Sequence, residues 1–155
     1  MESKLGNAIK QKRPFKSVHD EAFLLIQRTA SELNQEVSEL LKPYGVTPAK
    51  YNVLRILRGA RDCGLACGGV AERMVTRDPD VTRLLDGLEA QGLVARSRES
   101  EDRRVVTVRI SEEGLRLLAK LDAPVEALTV AQLGRVDEVE LGVLISILER
   151  ISKLE

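Results

Sequence analysis

With 155 residues, 43% apolar and 31% charged, the chain has the composition of one globular domain large enough to bury a core without staples. Aromatics are only 3% with no Trp, too few for a platform that stacks single-stranded bases, and one His with two Cys leaves little for a zinc site, a disulfide framework or His-dependent catalysis. No stretch approaches the ~20 apolar residues of a membrane span or forms the core of a signal peptide, so no membrane association and a cytoplasmic location are expected.

The net charge of zero is unevenly spread: residues 1–50 and 51–110 carry +2 each, and residues 111–155 carry −4. All eleven cations of residues 51–110 are Arg. Arg recognises phosphate and base edges through a planar fork, where Lys is a point charge, so the bias hints at nucleic acid. A GC-rich genome would produce the same bias.

Residues 1–16 are polar, with Lys4, Lys10, Lys12, Arg13 and Lys16, and are expected to form a flexible basic arm. Ser17, with Asp20 three residues on, reads as the cap of a first helix of roughly 24 residues. Phe23, Ile26, Ala30, Leu33, Val37 and Leu40 recur along it at helical steps, and Pro43 and Gly45 end it. Thr47–Pro48 opens a second helix to about Gly59, with Tyr51, Val53, Leu54, Ile56 and Leu57 on a broad apolar face. Val70, Ala71 and Met74 form a short third helix. Asp78–Pro79 repeats the cap-then-proline signal, and Val81, Leu84, Leu85 and Leu88 lay one buried stripe on a fourth helix that Gly92 ends.

The period then changes from helical to alternating. Leu93–Arg98 and Arg104–Ile110 read as strands joined by a charged tip, Glu99–Arg103. Ser111 caps a fifth helix carrying Leu115, Leu117, Leu118 and Leu121, which Pro124 kinks and Gly134 ends. Asp137, with Glu140 three residues later, caps a last helix with Leu141, Leu144, Ile145, Leu148 and Ile151. Helix, short helix, helix, hairpin is the order of a winged helix-turn-helix, whose second paired helix enters the DNA major groove. The expected fold is mainly α with a small β-hairpin wing.

The run Asp80-Val-Thr-Arg-Leu-Leu-Asp-Gly-Leu-Glu-Ala-Gln-Gly-Leu-Val-Ala-Arg, followed by Glu101-Asp-Arg-Arg-Val-Val-Thr-Val-Arg-Ile-Ser and Glu113-Gly-Leu, resembles the MarR family of bacterial transcription regulators. The likeness runs from about Ser17 to the end. It implies an obligate homodimer, knitted together by its terminal helices, whose two winged lobes read a palindromic double-stranded DNA operator. Residues 17–155 then form one domain: 17–45 and 111–155 are dimerisation helices and 46–110 the DNA-binding lobe. The abundance of Leu and Ile in the first and last helices points the same way, since one subunit of this size cannot easily cover them.

On the fourth helix, Asp80, Thr82, Arg83, Asp86 and Gly87 point away from the apolar stripe. Arg83 suits a guanine edge or a phosphate, Thr82 a phosphate or a thymine methyl, and Arg77 the DNA backbone. The plain alternative is a solvated face with Arg83 paired to Asp86. Asp78 and Asp80 depart from the small hydroxyl residues common in this stretch of the family. Asp78 reads as a helix cap, and Asp80 as a partner for cytosine N4 or for an arginine. The family's Asp-x-Arg wing signature falls on Asp102 and Arg104. The resemblance makes Arg104 the minor-groove arginine, Asp102 its brace and Arg103 a phosphate contact, with Arg96 and Arg98 at the wing's base. A polar hairpin with weak surface ion pairs is the alternative.

Cys63 and Cys67 are spaced C-x3-C. Cys67 falls at the start of the third helix, where a thiol becomes more acidic, so a redox role for it is an alternative reading. The family's peroxide-sensing cysteine resembles a position elsewhere. His19, Tyr44 and Tyr51 are candidates for the pocket in which family members hold small aromatic effectors, packing and surface polarity being the plain alternative. No Gly-rich phosphate loop and no catalytic triad is present, so neither an enzyme nor a cofactor is expected. The expected function is a sequence-specific DNA-binding regulator, a repressor relieved by a small effector. The competing reading is a protein–protein adaptor without DNA binding, which fits the neutral lobe: residues 72–104 hold seven Arg against eight acids.

Overall fold

The computed structural model describes residues 3–77, 80–98 and 106–152. The chain divides into two compact units, Met1–Pro48 and Ala49–Glu155. In the first, α1 (Lys4–Ala8) starts at Ser3, whose hydroxyl accepts from the Gly6 amide at 3.1 Å and donates to the Glu21 carboxylate. Leu5 is buried, and the Gln11 side-chain amide donates to the Arg13 carbonyl. The stretch expected to be a flexible arm therefore contains a helix, held by a cap and one apolar side chain.

Helix α2 (Val18–Leu41) has the expected start and length: the Ser17 hydroxyl accepts from the Asp20 amide at 3.2 Å. Its apolar stripe is open in the N-terminal half, where Phe23 is 59% exposed with Leu25 and Ile26 also open, while Leu33, Val37 and Leu40 are half-buried. A 3-10 turn over Lys42–Tyr44 contains Pro43 and ends at Gly45, whose φ of 70° is the left-handed conformation that glycine adopts without strain.

The second unit is a helix-turn-helix lobe with a small sheet, continued by two long helices. Helix α3 (Pro48–Gly59) buries Tyr51, Val53, Leu54 and Leu57. A two-residue strand, β1 (Leu65–Ala66), leads into α4 (Cys67–Glu72), and α5 (Val81–Ala90) follows. Strands β2 (Val94–Ser97) and β3 (Thr107–Ile110) complete a three-stranded antiparallel sheet in the order β1-β3-β2. Leu65 faces Val108, and Val94 faces Ile110. The core joins Leu54, Leu57, Val70, Leu85, Leu88, Val108, Leu118 and Leu121. Its last two members come from α6 (Glu112–Leu133), which is tied to α3 by an Arg58–Asp122 ion pair at 2.7 Å and to the turn after α3 by Arg61–Glu112 at 3.0 Å. Helix α7 (Glu138–Ser152) ends the described chain.

Several boundaries differ from expectation. Met74 lies beyond α4, which ends at Glu72. Helix α5 starts at Val81, two residues after the proline signal, because Asp80 caps it. Asp78, the expected cap, lies outside the described residues. Helix α6 ends at Gly134 as expected and is continuous through Pro124 as one 22-residue element. The missing N–H deletes one ladder hydrogen bond without ending the helix. The caps at Ser111 and at Asp137–Glu140 form as expected, the latter reciprocally at 2.8 and 3.2 Å.

The start of α6 is packed tightly. A Cβ on Gly114 would overlap the Leu93 carbonyl oxygen and lie 2.7 Å from Ile110 Cγ1. Gly114→Ala is therefore expected to lower stability by about 1–3 kcal/mol, although alanine is the better helix former. Thermal unfolding checks it, and an unchanged or raised Tm would show that the α6–sheet contact is loose.

Candidate nucleic-acid interface

The helix pair is held by polar contacts that leave one face open. Asn52 of α3 accepts from the Val75 amide at 2.9 Å, anchoring the turn between α4 and α5. Lys50 donates to Gln91 at 2.7 Å across the other end of α5. The Asp80 carboxylate accepts from the Arg83 amide at 2.9 Å, so this acid is engaged as the α5 N-cap. Val81, Leu85 and Leu88 are buried and Leu84 is half-buried, which turns Thr82, Arg83 and Asp86 to solvent.

The pairing of Arg83 with Asp86, the plain alternative to a DNA contact, does not form. Asp86 is taken by Arg96 of β2, whose Nη2 lies 2.7 Å from Asp86 Oδ1 while Nη1 donates to Glu89 Oε2 at 2.9 Å. The hydrogen bond to Asp86 is the largest cause raising the Arg96 pKa, with the charges of Glu89 and Asp86 adding to it against a desolvation cost. Among the described residues the Arg83 guanidinium has no ion-pair partner. Arg77 and Arg98 are exposed on the same lobe. Asp102, Arg103 and Arg104, the expected wing contacts, lie outside the described residues. The base of the hairpin that carries them is β2 and β3.

Between α5 and the sheet lies a cleft of about 430 Å³, lined by Cys67, Thr82, Arg96, Arg98 and Val108 among others. Cys67 is the first residue of α4, after Ala66 at the cap, and its Sγ is 3.6 Å from the Thr82 hydroxyl. Cys63 is exposed, and both thiols are free. His19 and Tyr44 are exposed in the first unit. Tyr51 is buried in the second, where desolvation raises its phenol pKa against the opposing charge of Arg55, stacked 6.0 Å from the ring. Among the described residues no group of three His, Cys, Asp or Glu is placed to hold a metal ion. No helix among them is long and apolar enough to cross a membrane.

Comparison with known proteins places this lobe. A model described as the MarR family matches residues 46–106, the stretch from the start of α3 into the hairpin. A solved MarR transcription factor from Planctomyces limnophilus is 38% identical, with 88% of this chain aligned to 98% of that one at a TM-score of 0.68. The chain belongs to the MarR family. Among curated relatives of this MarR protein, the HTH-type transcriptional repressor MdtR of Bacillus subtilis is 34% identical over 59% of this chain. That match spans 57% of MdtR's own length. CouR from Rhodococcus jostii RHA1, solved bound to p-coumaroyl-CoA, is 26% identical over 91% of this chain and 98% of that one, with a TM-score of 0.75. The family consists of transcription regulators and not of enzymes.

The cap at Asp80 and the Arg96 bridge were not foreseen. The first was hidden because two acids flank Pro79 and either suits a cap. The second joins a strand to a helix, and no helical spacing signals it.

Proposed function

We propose that the protein is a sequence-specific double-stranded DNA-binding regulator. It acts in the cytoplasm as a homodimer on a palindromic operator and represses a nearby operon until a small aromatic effector releases it. The observation that carries the reading is α5 itself: a capped helix, buried on one stripe, presenting Thr82 and an Arg83 with no ion-pair partner among the described residues, with strands β2 and β3 directly after it. A helix so placed suits a major groove. Arg77, Thr82 and Arg83 are its proposed reading residues, with Asp80 holding the helix start as its cap and Arg103, Arg104 and Asp102 on the wing. The repressor MdtR and the ligand-bound CouR support the repressing and effector-responsive parts.

The test is selection of bound sequences from a genomic pool, followed by gel shifts at three salt concentrations. A recurring palindrome with salt-sensitive affinity is the expected result. Absence of any sequence-selective shift by an intact dimer would leave the adaptor reading. The effector part makes its own prediction. An aromatic acid that raises the Tm should also weaken operator binding, because it acts only through unequal affinity for the free and DNA-bound geometries. Stabilisers that leave DNA affinity unchanged would count against it.

A further inference from the structure

We infer that Arg96 is a positioning residue for base readout: by holding Asp86 and Glu89, it keeps Arg83 available to DNA. The inference rests on the DNA-binding reading above and adds a residue that does not itself touch the operator.

Arg83 and Asp86 are three residues apart on α5, a spacing at which an arginine and a carboxylate normally meet. Such a pairing would fold the guanidinium back along the helix and neutralise it. Asp86 instead sits 2.7 Å from Arg96, and Glu89, on the same helix face, sits 2.9 Å from the other nitrogen of the fork. One planar guanidinium thus serves two carboxylates a helical turn apart, which the single ammonium of a lysine does less well. The Arg96 side chain is 26% exposed, less than either acid, and reaches them from β2 across the cleft beside α5.

Two consequences follow for a helix meant to approach phosphates. Asp86 and Glu89 carry two negative charges close to the proposed DNA face, and Arg96 offsets one of them. More directly, Asp86 is withdrawn from Arg83, the one outward cation of α5. Without Arg96, Asp86 would turn to the nearest remaining cation on its own helix face, and the reading arginine would be occupied before DNA arrived.

The experiment compares the selected operator with a scrambled duplex, using the full-length protein as wild type, Arg96→Gln, Asp86→Asn, the two combined, and Arg96→Gln in an Arg83→Ala background. Arg96→Gln is expected to lose roughly tenfold in operator affinity, on the scale of one lost base contact, with less loss on the scrambled duplex. Adding Asp86→Asn should restore most of that loss, while Asp86→Asn alone stays near wild type. In the Arg83→Ala background, Arg96→Gln should cost nothing further, as expected for residues acting as a unit. The rescue is diagnostic because Asp86→Asn cannot rebuild the bridge. Recovery therefore does not come from restoring rigidity, and the Arg83→Ala background separates the freeing of Arg83 from simple removal of a negative charge: a further cost of Arg96→Gln in that background would assign the effect to charge and overturn the inference. Loss without rescue would mean that Arg96 contacts DNA or merely holds the lobe together, and overturns the inference, as does unchanged binding by Arg96→Gln. Should Arg96→Gln fail to fold, Arg96→Lys replaces it with a smaller expected loss, and rescue by Asp86→Asn decides in the same way. If wild type selects no operator while remaining folded and dimeric, the regulator reading fails first and takes this inference with it.

Discussion

With Leu144 and Leu148 both replaced by aspartate, the protein is expected to sediment as a monomer at micromolar concentration and to lose operator affinity by about 100-fold or more, the scale set by losing the second tethered half-site contact. The reason lies in α7, which has fifteen residues and buries none of them. Val139, Val143, Leu144, Ile145, Ile147, Leu148 and Ile151 are 36–77% exposed. A run of apolar side chains around most of a helix belongs in a core, and soluble monomers seldom leave so much contiguous apolar surface open. Covering the 36–40% of these two leucines still open is worth about 0.5–1 kcal/mol each, and a charge buried in place of either costs several kcal/mol more, so two aspartates oppose association strongly. A second copy of the chain is the proposed cover. In the first unit, Phe23, Leu25 and Ile26 of α2 are likewise exposed. Sedimentation velocity decides the matter. A double-aspartate variant that remains a dimer would remove the C-terminal helix from the interface. Deleting residues 137–155 altogether should leave an aggregating or unfolded chain.

What was legible in the sequence was mostly local. Ser17, Ser111 and the Asp137–Glu140 pair cap their helices as read, because a cap is a bond between a side chain and an amide two or three residues away. The winged lobe was legible from the switch between helical and alternating periods around Gly92, where the chain turns at φ 69°. Strand β1 was not, since it is two residues long and exists only by pairing with Thr107 and Val108, some forty positions away. Helix α1 was missed because five residues carry too little periodicity to register. The stripe of α2 illustrates a different limit. Periodicity identifies an apolar face without saying what covers it, and within one chain Phe23 and Ile26 remain open.

The site divides the same way. That Thr82 and Arg83 face outward follows from the spacing of Val81, Leu85 and Leu88 alone. That Asp86 belongs to Arg96 does not, because their approach depends on how β2 packs beside α5. The charge count of residues 72–104 had made the lobe look neutral and unpromising for DNA. The structure shows where part of the acid goes: Asp80 is a helix cap, and Asp86 and Glu89 share Arg96. Three of the eight acids in that count are therefore engaged within the lobe itself.

Arg83→Ala and Arg104→Ala are expected to weaken DNA binding in different ways. Arg104 is proposed to enter the minor groove, where an arginine senses width and potential more than base identity. Its loss should cost all operators a similar factor, on the order of 1–3 kcal/mol, and flatten the salt slope by about one unit. Arg83 sits on the outward face of α5 with its guanidinium free among the described residues, so it can reach a base edge. Its removal should cost unequal amounts on operators that differ at a single position. Asp102→Ala should act as a partial loss of Arg104, which keeps its charge and loses its brace. The Arg83 variant should stay folded and dimeric, since Arg83 lies off the buried stripe of α5. Titrations at three salt concentrations against single-base operator variants measure all of this together. If Arg104→Ala binds as well as wild type, the wing assignment is wrong and the adaptor reading gains. If Arg83→Ala loses affinity uniformly, Arg83 clamps phosphate, and base reading passes to Thr82 or Arg77, because the Asp80 carboxylate is already bonded to the Arg83 amide.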